Sequence, residues 1–100
     1  MKFESVRQAF INGLFRYTKH GLEQRIKRQI SSAEIEEAVL SGEVIEDYPS
    51  DKYGPSCLIF GKTSHNRPLH VQIVFYPIIT VVTVYEPSPE KWIDYRERRK

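Results

Sequence analysis

Pro68-Leu69-His70-Val71-Gln72-Ile73-Val74-Phe75 decides the fold. Leu69, Val71, Ile73 and Phe75 are large and apolar, and His70, Gln72 and Val74 fall between them. Side chains along a strand point alternately to the two faces of a sheet. The stretch therefore predicts a strand with one face in the core and His70 on the other. Before it, Ser64-His65-Asn66-Arg67 reads as a hairpin turn that returns to a strand over residues 57–62. After it, Pro77 marks a second turn, and residues 79–85 are rich in β-branched side chains, which suit a pleated surface. Further upstream, residues 43–48 form a strand-like run closed by Pro49, followed by a loop through Tyr53-Gly54-Pro55. Pro87 and Pro89 end the last strand. Ser88 or Pro89 then starts a short helix carrying Trp92 and Tyr95, ahead of the basic tail Arg96, Arg98, Arg99 and Lys100.

The first forty residues carry helical spacing instead. Residues 4–12 set Val6, Ala9 and Phe10 on one stripe, and Gly13 can stop that helix in a left-handed cap. Residues 14–17 are apolar and aromatic, an extended connector or short strand. Thr18 offers a cap for a second helix through about Gln29, with Leu22 and Ile26 inward and Lys19, His20, Arg25, Lys27 and Arg28 around them. Ser31 and Glu34 fit a capping box, which starts a third helix whose buried stripe is Ile35, Ala38, Val39 and Leu40 and which Gly42 ends. Helices followed by strands on short loops predict an α+β domain: N-terminal helices on one face of a four-stranded antiparallel sheet, then a short C-terminal helix. Parallel pairing would need longer crossovers.

A chain of 100 residues, 40% hydrophobic, has room for one modest core and hence one domain, residues 1–100. Its longest apolar stretch, residues 71–85, is broken by Gln72, Pro77 and two threonines, far short of the ~20 apolar residues that span a bilayer. With no apolar leader at its start, the expected location is the cytoplasm. Cys57 is the single cysteine, so no internal disulfide and no multi-thiolate zinc cage can form, and a buried thiol is expected. The charge is segregated. Residues 31–51 hold Glu34, Glu36, Glu37, Glu43, Glu46, Asp47 and Asp51 and no Lys or Arg, while all 15 basic residues lie elsewhere. One acidic and one basic surface would suit a basic partner and a polyanion respectively; solvated faces that happen to segregate are the plainer reading.

No nucleotide-binding glycine motif, HExxH pair or nucleophile elbow is present, so no cofactor is expected. A metal site drawn from His20, His65, His70 and Cys57 lacks any ligand spacing. His70 reads two ways: a sheet histidine satisfied by hydrogen bonds, or a general acid or base, since imidazole titrates near neutral pH. His20 is either a helix-end capping residue or the second member of such a pair. Two converging histidines would suffice to cleave RNA without metal, one deprotonating the ribose 2′-hydroxyl and the other protonating the leaving 5′-oxygen. Arg25 and Arg28 would supply fixed positive charge at the transition state. Tyr48, Tyr85 and Trp92 could stack bases, although Trp92 also suits a hydrophobic anchor for the last helix.

These landmarks carry a resemblance: Thr18-Lys19-His20, Arg28, Gly42-Glu43-Val44-Ile45-Glu46-Asp47-Tyr48-Pro49, Pro68-Leu69-His70-Val71 and Tyr85-Glu86-Pro87 with Trp92. In that order and spacing the chain resembles a family of small bacterial domains of unknown function grouped with RelE-like and BrnT-like toxins. The resemblance implies a toxin-like helix-plus-sheet fold and an endoribonuclease of a toxin–antitoxin module. It further implies RNA as partner, ribosome-bound mRNA included, cut on the sheet face not covered by helices, and a small zinc-finger antitoxin. It singles out His20, Arg28, His70 and Tyr85 as landmarks, without assigning them roles. Two positions depart from the family pattern: Gly21 stands where alanine is usual, and Gln29 where glycine follows the arginine.

Overall fold

The computed structural model describes residues 3–52 and 54–100; Tyr53 of the predicted loop lies outside them. Three helices, α1 (Phe3–Ile11), α2 (Lys19–Lys27) and α3 (Ser32–Ser41), precede the strands β2 (Glu43–Tyr48), β3 (Ser56–Lys62), β4 (Pro68–Val74) and β5 (Thr80–Tyr85). A short strand, β1 (Arg16–Tyr17), lies between α1 and α2, and two more, β6 (Trp92–Ile93) and β7 (Glu97–Arg98), close the chain. The α+β class is as predicted, but the sheet has five strands in the order β1-β5-β4-β3-β2. The four predicted strands pair antiparallel, and β1 adds in parallel to β5. That parallel pair is reached because the chain between its members is the rest of the domain, long enough for any crossover.

The alternation in β4 is realised. Leu69, Val71 and Ile73 are fully buried with Val6, Phe10, Ile35, Ala38, Val39, Cys57, Ile59, Val81 and Val84, the core between sheet and helices. Burial pushes the Cys57 thiol up to about 12, so it is an inert core group. The predicted capping box is present: Glu34 N–H donates to Ser31 Oγ at 3.0 Å, and Ser31 N–H to Glu34 Oε1 at 2.9 Å. α3 crosses β3 so closely that a Cβ on Gly61 would lie 1.8 Å from the Ala38 carbonyl oxygen.

Leu22 and Ile26 do not point inward; they are 40% and 65% exposed. α2 does not lie on the sheet face but along the outer edge of β5, where β1 stops. Gly21 abuts Val81, where a Cβ would meet the carbonyl oxygen at 2.4 Å. At the other end of the helix, Arg28 Nη1 donates to Val84 O at 3.4 Å. Because α2 docks through backbone rather than an apolar stripe, its large side chains are left outside. The helix also stops at Lys27, two residues early. Gln29 N–H returns to Ile26 O at 3.1 Å and Ile30 N–H to Arg25 O at 2.9 Å, a Schellman closure that holds Gln29 at φ 55°. A left-handed conformation is disfavoured for any residue with a Cβ by about 1–2 kcal/mol. Gln29→Gly is therefore expected to raise stability by about 0.5–1 kcal/mol in a urea melt; a loss of stability would contradict this closure.

The predicted C-terminal helix is absent. One turn forms after Ser88, whose carbonyl accepts from Lys91 and Trp92 N–H at 3.0 Å. The chain then folds into the β6–β7 hairpin, pairing Trp92 with Arg98 and Ile93 with Glu97. Asp94 and Tyr95, at φ 52° and 63°, are the central residues of a turn closed by Arg96 N–H on Ile93 O at 3.0 Å, within a three-residue connection, 94–96. The three-residue spacing of Trp92 and Tyr95 mimics a helical stripe, but both rings are held by the sheet. Tyr95 stacks on Phe60 at 5.4 Å, and Trp92 meets His70 edge-on at 4.4 Å.

Candidate functional site

β3, β4 and β5 place Phe60, His70 and Tyr85 side by side on the face opposite the main core. The β6–β7 hairpin lies over this row, so the helix-free face is not open at His70, which has no exposed surface. His70 is enclosed edge-on by Phe60 at 6.0 Å, Tyr85 at 5.3 Å and Trp92 at 4.4 Å. Its Nε2 lies 2.6 Å from the Tyr95 carbonyl oxygen and its Nδ1 3.2 Å from the Tyr85 hydroxyl. A carbonyl only accepts, so Nε2 carries the hydrogen. In the neutral ring Nδ1 is then the acceptor and Tyr85 the donor. Burial lowers the His70 pKa against the opposing pull of the Tyr95 carbonyl and the Glu46 charge. The neutral tautomer with hydrogen on Nε2 follows from both geometry and desolvation.

Around this pair stand charged groups that the sequence reading did not single out. Glu46 accepts from Arg98 Nε at 2.9 Å and Nη2 at 3.1 Å, and also from the Tyr48 hydroxyl. Burial raises the Glu46 pKa, but those hydrogen bonds outweigh it and hold the carboxyl below its ordinary value. Burial and then Glu46 push the Tyr48 hydroxyl up to about 12. Burial also raises Tyr85, while the positive charges of Arg98 and Arg28 act on it in the opposite sense. Arg98 covers the Trp92 ring at 4.6 Å and Arg96 the Phe60 ring at 4.8 Å, with Arg96 Nε 2.8 Å from Glu43 Oε1. The acidic stretch thus has its cationic partners within the chain: Glu43 with Arg96, Glu46 with Arg98, and Glu34 with Arg67 at 3.0 Å.

Of the predicted site residues, the structure gathers His70, Tyr85 and Tyr48 at this cluster and brings Arg28 to its edge, bonded to Val84 O next to Tyr85. His20 and Arg25 stand apart from it. His20 is exposed in the first turn of α2, and no hydrogen bond or ring contact joins it to His70. Arg25 holds its guanidinium 5.4 Å over the Tyr17 ring, a contact between α2 and β1. Trp92 serves as the anchor of the hairpin, not of a helix. Glu46 and Arg98 carried one signal in the sequence: they come from the acidic stretch and the basic tail. Among the described residues no group of three or more His, Cys, Asp or Glu is placed to hold a metal ion, and no helix is long and apolar enough to cross a membrane. A hollow of about 480 Å³ lined by Ser5, Asp47, Pro49, Pro55, Phe75, Tyr76 and Ile79 contains none of the predicted site residues.

The buried neutral His70 makes stability depend on pH. Its folded pKa is depressed, so the unfolded chain binds the proton more readily once the pH drops below about 6.5. The contribution is complete above that value and lost as pH falls toward the folded pKa, with a slope of up to about 1.4 kcal/mol per pH unit. The lowered Glu34 and Glu46 act only further into acid, below their ordinary 4.5. Unfolding free energies of wild type and His70→Gln are expected to converge as pH falls from 7 toward 5. Parallel curves would show that His70 is not held neutral.

Fold and cluster define the class: a small α+β domain whose helix-free sheet face carries a histidine–tyrosine pair beneath a C-terminal hairpin. Residues 17–86 match the family model described as Domain of unknown function (DUF4258), and the chain belongs to that family. The matched region holds His70, Tyr85, Tyr48, Glu46 and Arg28, and stops before the hairpin. No curated protein and no solved structure matches the chain.

Proposed function

We propose that the domain is a metal-free endoribonuclease of the RelE-like and BrnT-like toxin kind. The observation that carries this reading is the relay from the half-buried Tyr85 hydroxyl through His70 to the Tyr95 carbonyl, flanked by Arg28 and Arg98. His70 is too deep to touch RNA, so Tyr85 replaces it as the contacting group. The ribose 2′-hydroxyl passes its proton to the Tyr85 oxygen as Tyr85 passes its own to His70 Nδ1. The 2′-oxygen bonds to the adjacent phosphorus, and the 5′-oxygen leaves with a proton from water. The products are a 2′,3′-cyclic phosphate and a 5′-hydroxyl, and His70 returns its proton to solvent through Tyr85. The Tyr95 carbonyl steadies the transient imidazolium, while Arg28 and Arg98 face the charge that builds on phosphorus. His20 and Arg25 have no part in this scheme. The partners that go with it are RNA, ribosome-bound mRNA included, and a small zinc-finger antitoxin, both from the resemblance.

Tyr85→Phe keeps the ring and removes the hydroxyl. It is expected to lower the cleavage rate about 10²–10⁴-fold while changing RNA binding little. The measurement is end-label analysis of RNA incubated with purified protein, on and off ribosomes; equal rates for wild type and variant would refute the relay. A second reading, a non-catalytic RNA- or protein-binding module, draws on one observation. His70 is fully enclosed with both nitrogens engaged, while α2 and its C-cap present Lys19, His20, Lys27 and Arg28 exposed. Binding without any cleavage by the wild type would favour it.

A further inference from the structure

Resting on the relay just described, we infer that the hairpin turn Ile93-Asp94-Tyr95-Arg96 is the positioning element of the Tyr85–His70 pair, with Tyr95 acting through its backbone carbonyl. The sheet alone does not settle which His70 nitrogen carries the hydrogen. Phe60 offers a ring edge, and the Tyr85 hydroxyl can donate or accept. The one obligate acceptor bonded to the ring is the Tyr95 carbonyl, 2.6 Å from Nε2. It fixes the hydrogen there and leaves Nδ1 bare toward Tyr85. A tautomer set by the partner of the second nitrogen is how a histidine is made a base on a chosen side.

The backbone that delivers this carbonyl is in an unfavourable conformation. Asp94 and Tyr95 both have positive φ, 52° and 63°. Aspartate tolerates that region, whereas an aromatic residue there is strained by about 1 kcal/mol or more. Glycine would satisfy the turn without strain, yet tyrosine stands there and stacks on Phe60 at 5.4 Å, with Lys62 Nζ 5.8 Å from its ring centre. Strain retained where a backbone group meets a buried histidine suits a functional constraint. Three further contacts hold the turn down: Trp92 on His70, Arg96 with Glu43, and Arg98 with Glu46. The hairpin side of each contact comes from residues after the matched region 17–86, and the sheet side, His70, Glu43 and Glu46, from within it.

Two substitutions at one position separate the carbonyl from the side chain. Tyr95→Gly keeps a backbone that adopts positive φ and so keeps the carbonyl in place. Tyr95→Pro fixes φ near −65° and cannot form the turn. The readouts are ¹⁵N shifts of the imidazole nitrogens in the full-length ¹⁵N-labelled protein, with the exposed His20 and His65 as internal controls, and RNA cleavage. Backbone spectra of β3, β4 and β5 report whether the sheet is intact. In wild type and Tyr95→Gly, His70 is expected as a single tautomer with hydrogen on Nε2. In Tyr95→Pro, His70 is expected to become a tautomer mixture, and kcat to fall about tenfold or more with KM little changed. A Tyr95→Pro protein with the wild-type tautomer, or one that cleaves as wild type does, overturns the inference. If wild type itself cleaves no RNA, the endoribonuclease reading fails, and the tautomer comparison still decides the role of the turn.

Discussion

Gly61→Ala is expected to destabilise the domain by about 3 kcal/mol or more. The added carbon would sit 1.8 Å from the Ala38 oxygen and 2.6 Å from its carbonyl carbon, and neither can swing aside because both are backbone. Relief requires α3 to lift from β3, which opens the contact of Ile35, Ala38 and Val39 with the core. A domain of this size has a total stability of about 5–15 kcal/mol, so the fraction lost is large. Urea denaturation of wild type and variant measures it. A change below about 1 kcal/mol would mean that α3 is not seated on Gly61.

Trp92→Ala is expected to be nearly as costly, but locally. Removing a buried tryptophan typically costs about 3–5 kcal/mol. Here the loss falls on one attachment, since Trp92 is 4% exposed and packs on His70 and beneath Arg98. The remaining ties are the Tyr95 carbonyl on His70, the Tyr95 ring on Phe60, and the pairs of Arg96 with Glu43 and Arg98 with Glu46, each pair worth about 0–1 kcal/mol. The hairpin should therefore detach while the sheet stays folded. Hydrogen exchange is expected to show protection lost over residues 87–100 and kept in β3 and β4, and His70 should become reactive to diethyl pyrocarbonate. Uniform loss of protection would show instead that hairpin and sheet unfold as one unit.

What could be read from the chain depended on whether the relevant physics was local. The Ser31–Glu34 box and the Thr18 cap involve neighbours three residues apart, and both formed. The Leu69, Val71, Ile73 alternation needs only the period of a strand. The position of α2 was hidden because it depends on Gly21 meeting Val81, a contact across sixty residues that leaves no periodic trace. Helical spacing made Leu22 and Ile26 look buried, and edge docking left them outside. The C-terminal segment misled for a related reason. Trp92 and Tyr95 are three residues apart, yet long-range stacking on His70 and Phe60 chose a hairpin over a helix. For the site, alternation placed His70 on the helix-free face correctly but could not reveal that the same chain covers it. Tyr85 and Tyr48 were singled out for base stacking; their hydrogen bonds to His70 and Glu46 depend on strand register, which the sequence does not spell out.

The edge position of α2 also bears on self-association. A sheet of this kind has two rims where a strand from another molecule could add, and unpaired rims seed fibrils. β1 and α2 together seal the β5 rim. The β2 rim is broken by an irregularity between Val44 and Glu46, and carries Glu43, Glu46 and Asp47. Acidic side chains and a bulge both discourage an incoming strand. With one rim closed by a helix and the other kinked and charged, the sheet offers no ready template for growth, although Leu22 and Ile26 stay in contact with water.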